Sequence, residues 1–295
     1  MTALIAAAWA QPSTAAGDAA RGKYLFDAAG CLGCHTDIKN KGNPLAGGRE
    51  LKTPFGAYYS PNITPDADSG IGKWSDADFI RALRNGVAPN GSHYFPVFPY
   101  PSYTGMTDKD MLDIKAYIFT TPPHKTVNKP HRTLPPFGTR LFVGPWKALH
   151  FTPGPLQPDP AKSAQWNRGA YLVRAVGHCA ECHTPRNLLG AKKTDMDMAG
   201  TADGPDGGTV PNITPDRKTG IGRWSADELE DFLDSGMLPD GDFAGSDMGD
   251  VIDQSTSRLS KADRKAMVEY LRSLPAVDNR IEAKKKSPAK IKKKK

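Results

Sequence analysis

Cysteine is scarce in this chain: four of 295 residues, all inside two five-residue motifs. No thiol is left to act as a ligand elsewhere. Apolar residues are thin as well, at 38%. Nowhere do they form a run of about twenty, the length a membrane-spanning helix needs. No segment alternates apolar and polar residues for long, so strands are not expected to dominate. Acidic residues are missing from Ala283–Lys295, which holds eight lysines. Without those lysines the formal net charge falls from +7 to −1, so the basic character belongs to the tail and not to the body.

What the chain does hold is Cys31-Leu32-Gly33-Cys34-His35 and, again, Cys179-Ala180-Glu181-Cys182-His183. Two thiols three positions apart can each add across one vinyl group of a haem. The histidine that follows is then placed to reach the iron from one side. A zinc site would use the four sulfurs as a tetrahedral set, but gives no role to a histidine after each pair. A thioredoxin-type redox pair needs a strand-then-helix setting that neither motif has. The motifs predict two covalently attached haem c groups, held by Cys31, Cys34, Cys179 and Cys182, with His35 and His183 on the irons.

The motifs belong to a longer repeat. Arg21-Gly22-Lys23-Tyr24-Leu25 returns in Arg168-Gly169-Ala170-Tyr171-Leu172, offset by 147, and the cysteine motif by 148. Pro61-Asn62-Ile63-Thr64-Pro65-Asp66 returns unchanged at 211–216, and Gly70-Ile71-Gly72-x-Trp74-Ser75 at 220–225, both offset by 150. A period this long marks a duplicated domain. The expected layout is a first domain over 17–121, a Pro-rich connector over 122–163 and a second domain over 164–277. Residues 1–16 are read as an export-signal remnant or disordered terminus, and 278–295 as a Lys-rich disordered tail.

Within each half the pattern is short helices and long Gly- and Pro-rich loops. Ala19–Ala29 is helical in composition. Ser75 with Asp78 and Ser225 with Glu228 look like capping pairs, for helices running to about Arg84 and Asp234 and ended by Gly86 and Gly236. Thr107 with Asp110, and Ser260 with Asp263, open the last helix of each half. A haem in each half would make up for the sparse apolar core.

Each iron needs a second axial ligand. Methionine is usual in electron-transfer cytochromes, because a thioether raises the potential. Of eight methionines, Met1 is the initiator, and Met111 and Met267 fall at core spacing in the last helices. Met196 and Met198 lie in a polar loop, and Met237 directly follows a helix-ending glycine. That leaves Met106 and Met248, both read as lying in a flexible loop before the last helix. They are not equivalent: with Tyr117 aligned to Tyr270, Met106 falls opposite Leu259. His93 is the rival for the first iron, and an open or water-bound iron is the third alternative.

Other residues have ordinary readings. His178 is expected to be partly exposed and turned away from iron, and His124, His131 and His150 solvated or bonded locally. Trp74 and Trp224 suit a haem propionate or plain packing equally, and Asn62 and Asn212 suit turns. The stretch Thr121–Ser163 holds ten prolines and is therefore stiff. Its apolar part, with Leu141, Phe142, Val143, Trp146 and Leu149, is expected to pack on both domains. The lysine tail reads as a solvated arm, with weak attraction to an anionic membrane surface or an acidic partner as the functional alternative. No surface for nucleic acid is read. Ala8-Trp9-Ala10 resembles an export cleavage site without the positively charged leader.

The attachment motifs, the two repeated loop sequences, Phe98–Tyr103 before Met106, and Trp166–Leu172 together resemble bacterial dihaem c-type cytochromes with tandem cytochrome-c-like domains. Over residues 17 to 275 the chain is also similar to the cytochrome c subunits of membrane-bound alcohol and gluconate dehydrogenases. The resemblance implies a mainly α fold of two class I cytochrome-c-like domains, each of short helices and long loops around one covalent haem. It implies a methionine at the place of Met106. It also implies haem attachment outside the cytoplasm, hence a periplasmic protein, soluble or peripheral to the membrane. Those dehydrogenase subunits usually carry a third haem domain and a membrane anchor, neither of which is read in these 295 residues.

The function expected is single-electron transfer between a dehydrogenase donor and an oxidase or cytochrome acceptor, with no catalytic residue. One alternative is a haem enzyme of dihaem-peroxidase or thiosulfate-dehydrogenase type, which needs an open distal site with acid–base groups. The other is the electron-accepting subunit of a dehydrogenase complex.

Overall fold

The computed structural model describes residues 17–134 and 138–282. The expectations for residues 1–16, for Pro135-Pro136 and for the lysines of 283–295 lie outside the described residues. The first half comprises α1 (Ala19–Ala28), α2 (Cys31–His35), β1 (Glu50–Thr53), β2 (Gly56–Tyr59), α3 (Asp76–Asn85), α4 (Tyr100–Tyr103) and α5 (Asp108–Ile118). The connector adds β3 (Arg132–Thr133) and α6 (Val143–His150). The second half comprises α7 (Ala164–Tyr171), α8 (Ala180–His183), α9 (Ala226–Ser235), α10 (Ser246–Gln254) and α11 (Lys261–Arg272).

The fold is mainly helical, with one antiparallel sheet in the order β1-β2-β3. Glu50 pairs with Tyr59 and Gly56 with Thr133, so the connector supplies an edge strand to the first half. The sequence reading did not anticipate this sheet, whose strands of two to four residues are too short to show an alternating pattern. Among the described residues no helix is long and apolar enough to cross a membrane.

The helix ends follow local chemistry. Ser75 and Ser225 form reciprocal capping boxes with Asp78 and Glu228, and Gly86 and Gly236 end α3 and α9 in left-handed conformations. The hydroxyls of Thr107 and Ser260 accept the N–H groups of Asp110 and Asp263, starting α5 and α11. α1 crosses α5, and α7 crosses α11, at very short range. A Cβ on Gly22 would sit 1.8 Å from the Asp113 carbonyl oxygen, and one on Gly169 1.9 Å from that of Ala266. The repeated Arg-Gly-x-Tyr-Leu thus marks a crossing that only glycine permits. Around it Leu25, Met111, Ile114, Val173, Val176 and Met267 join one apolar cluster that runs through both halves.

The one-residue mismatch between the 147 and 148 offsets has a visible cause. α1 stays α-helical to Ala28, whereas its counterpart widens into a π-helical turn over Leu172–Val176. The extra residue is absorbed there, and each motif then begins after a left-handed residue, Gly30 at φ +61° and His178 at φ +43°.

Candidate haem sites

The four thiols are free and half-buried. Burial pushes Cys31 and Cys182 up to about 12 and Cys179 up to about 11, so all three remain protonated at neutral pH. Among the described residues no three His, Cys, Asp or Glu side chains converge as a metal cluster, so the sulfurs do not form the tetrahedral set that zinc would use.

Each motif histidine is fixed in the same way. Nδ1 of His35 lies 2.8 Å from the Pro61 carbonyl oxygen, and Nδ1 of His183 lies 2.8 Å from that of Pro211. With Nδ1 donating, the lone pair is on Nε2, the tautomer a metal ligand needs. Burial lowers both histidine pKa values and keeps the rings neutral. Asn62 and Asn212 build the supporting loops: each side-chain oxygen accepts the N–H and hydroxyl of Thr64 or Thr214. Their amides donate to the His124 and Val277 carbonyls. They are turn residues, and the turn carries the proline carbonyl that orients the ligand. Gly47 and Gly200, at φ +76° and +79°, pass so close to these loops that a Cβ would sit 2.5–2.6 Å from their backbone. Thiols paired at this spacing, followed by a histidine in the ligating tautomer, fit a covalently held haem in each half.

The candidates for the opposite face differ in setting. Met106 is fully buried between α4 and α5. Met248 is half-buried on α10, a regular helix and not the flexible loop expected. α10 lies on α2 of the other half: Gln254 Oε1 would be 2.6 Å from a Cβ on Gly33, and Asp247 and Asp250 lie 3.9 Å from Arg49. Met198 differs more from expectation. It is wholly buried with φ +60°, and its N–H bonds to Thr184, the residue after His183. Leu45 does the same with Thr36, after His35, at φ +61°. Met198 therefore takes a leucine's place beside the histidine. His93 is held by the connector, its Nδ1 3.0 Å from Lys147 Nζ.

Four further residues depart from, or sharpen, the sequence reading. His178 is partly exposed, yet it packs edge-on against Tyr103 and lies 3.4 Å from the Ala29 carbonyl. His131 is not locally bonded: Tyr59 N–H donates to its Nδ1 at 3.2 Å, and it packs on Tyr58 and Phe95. Trp74 and Trp224 are half-buried against the core.

A cavity of about 300 Å³ opens between the halves, lined by Cys34, Cys182, His178, Phe95, Trp146 and Leu189. Beside it Glu181 takes hydrogen bonds from Ser102 at 2.6 Å, Lys192 at 2.8 Å and Arg186 at 2.5 Å. Burial alone would raise its pKa, but Lys192 and Arg186 hold the carboxyl down to about 2. The connector touches both halves, but not through most of the apolar residues expected to pack: Val143 is buried and Trp146 half-buried, whereas Leu141, Phe142 and Leu149 are exposed. Trp146 donates to the Leu189 carbonyl at 2.9 Å, and Lys147 to those of Asn85 and Gly86 at 2.6 and 2.7 Å. Glu181 and Lys147 were not singled out in the sequence. The only available signal was that Glu181 replaces Gly33 inside the motif.

Residues 19–122 and 166–275 both match the family model for cytochrome c. The chain is 42% identical over 270 residues to a dihaem cytochrome c-type protein of Cereibacter sphaeroides, covering 89% of this chain and 88% of that one. To the fructose dehydrogenase cytochrome subunit of Gluconobacter japonicus it is 40% identical, over 87% of this chain and 52% of the subunit. It is 39% identical to the gluconate 2-dehydrogenase cytochrome c subunit of Pantoea cypripedii, over 88% of this chain and 60% of that subunit. The chain thus spans little more than half the length of these two dehydrogenase subunits.

Proposed function

The chain belongs to the cytochrome c family, and on that footing we propose that it relays single electrons between protein partners outside the cytoplasm, with a histidine and a methionine facing each iron. It is an electron-transfer protein with two covalently bound haem c groups. Its domains are taken as 17–121 and 164–277, each of the class I cytochrome c kind around one haem, joined by 122–163. When bound, each haem supplies an iron that changes by one electron between ferrous and ferric. The thiols of Cys31 and Cys34, and of Cys179 and Cys182, would hold the two haems covalently as thioethers. His35 and His183 present Nε2, locked by Pro61 and Pro211. Met106, in the turn between α4 and α5, and Met248, on α10, would offer thioether sulfur, which favours the reduced metal. His93 is bound to Lys147, which weighs against it as a ligand.

The observation that carries this reading is the doubled histidine–proline pair at 2.8 Å, one behind each motif. A dehydrogenase donor and a cytochrome or oxidase acceptor are the partners proposed, with a periplasmic location. As the cytochrome subunit of a dehydrogenase complex, the chain would work by the same chemistry. To test the ligands, Met106→Leu and Met248→Leu should each let one iron in the reduced protein bind carbon monoxide and lower one potential. Carbon monoxide binding by the unaltered protein, or no change in either variant, refutes the methionine assignment. A secreted sample weighing no more than its polypeptide refutes the haems themselves.

A further inference from the structure

The two halves are alike in how the chain leaves them and unlike in what then covers them. His124 bonds to Thr64 and Asn62, and Thr126 to Ser69; Val277 and Asn279 repeat these bonds with Thr214, Asn212 and Thr219, offset by 153. In the first half the chain continues to α6, which lays Lys147 on the last carbonyls of α3, beside His93 and 4.5 Å from the Tyr100 ring centre. In the second half the described chain ends at Glu282, and the matching face is open. Phe243, opposite His93 in the repeat, is 60% exposed, and Met237, opposite Val87, is 42% exposed.

The open face is strongly charged. Residues 224–257 contain ten carboxylates and no lysine or arginine, whereas 74–104 balance two acids with two arginines. Arg264 takes up Glu230 and Asp234, and Arg49 approaches Asp247 and Asp250. Asp231, Asp240, Asp242 and Asp253 are exposed and form no ion pair among the described residues.

We propose that the segment 283–295, with its eight lysines, folds back onto the acidic, uncovered face of α9 and α10, as α6 covers the first half. Charge complementarity and reach both favour this occupant. On the 153 offset, residues 284–295 match 131–142, the stretch that leads the first half's chain to α6. Thirteen extended residues span roughly 45 Å, more than enough to cross a domain of this size. Docking places positive charge where like charges otherwise crowd, and it weakens as salt screens the pair.

Carbodiimide cross-linking of the dilute, haem-loaded full chain tests the contact by mass spectrometry. The expected result is links within one molecule from Lys284–Lys295 to Asp231, Asp240, Asp242 or Asp253, lost in about 1 M salt. Links between two copies, links to acids elsewhere, or none at all overturn the proposal. An octalysine peptide supplies a second readout. It should bind about tenfold tighter when the eight tail lysines are changed to glutamine, since the tethered competitor is then gone. Equal affinity means the face is free for a partner's basic surface, and the proposal fails.

Discussion

Tyr24 on α1 donates its hydroxyl proton to Asp263 on α11 at 2.6 Å and accepts the Ser260 N–H at 3.0 Å. Tyr171 on α7 returns the arrangement to the first half, donating to Asp110 and accepting the Thr107 N–H at 3.1 Å. Each half's first helix therefore completes the cap of the other half's last helix. Asp263 also takes Arg168 Nε and Nη2 at 2.9 and 2.7 Å, so one carboxylate joins both halves. Burial opposes its charge, but Arg168 and Tyr24 hold its pKa below the usual carboxylate range.

Tyr24→Phe should strand part of that network. The expected loss is about 1–2 kcal/mol of stability, read as a lower denaturation midpoint of the haem-loaded protein at unchanged slope. Tyr171→Phe should cost a similar amount. An unchanged midpoint in both variants would mean that the exchange is ornamental.

Gly47→Ala and Gly200→Ala test the proline loops. Each adds a Cβ 2.5–2.6 Å from neighbouring backbone at a positive φ. The expected penalty is about 1–3 kcal/mol, with the altered half losing haem occupancy first, read by mass. Full occupancy and unchanged unfolding would show that the loops yield easily.

Met198→Leu separates a wall residue from a ligand. Because Leu45 already fills the matching position, the variant should keep the wild-type absorption spectrum and refuse carbon monoxide. The stability change should stay under about 1.5 kcal/mol. A new carbon monoxide band would make Met198 the iron ligand instead of Met248.

Lys147 carries a pH signature. Burial lowers its pKa from 10.5 to about 8, so the unfolded chain binds more protons than the native one between those values. Stability should therefore rise across pH 8 to 10.5, its full contribution reached above 10.5 and lost as pH falls through about 8. Comparing unfolding of wild type and Lys147→Met over that range isolates the effect. Parallel curves would count against a buried ammonium.

Much of this was legible locally. The motifs and all four capping pairs depend on neighbours within a few positions, the long repeat is visible by setting one half against the other, and the structure places those helices where Ser75, Ser225, Thr107 and Ser260 indicate. What escaped depends on distant chain. β2 is held partly by β3, some 75 residues on. Met198 sits among polar neighbours, yet is buried by contacts from elsewhere. Lys147 and His131 look like solvated connector residues until the connector folds back on Asn85, Gly86 and Tyr59. Met248 lies in a stretch expected to be a flexible loop, but it sits on α10, a helix that packs on α2 of the other half.

The widened turn at Leu172–Val176 lets the copies drift in length without losing alignment. One inserted residue is taken up at a single place, so Tyr171 upstream and Cys179 downstream both stay in step with their twins. Shortening that turn by one residue would force a choice between the clasp and the tether. Duplicated proteins of this kind can thus diverge at such a slack point while the partnership between their halves is preserved.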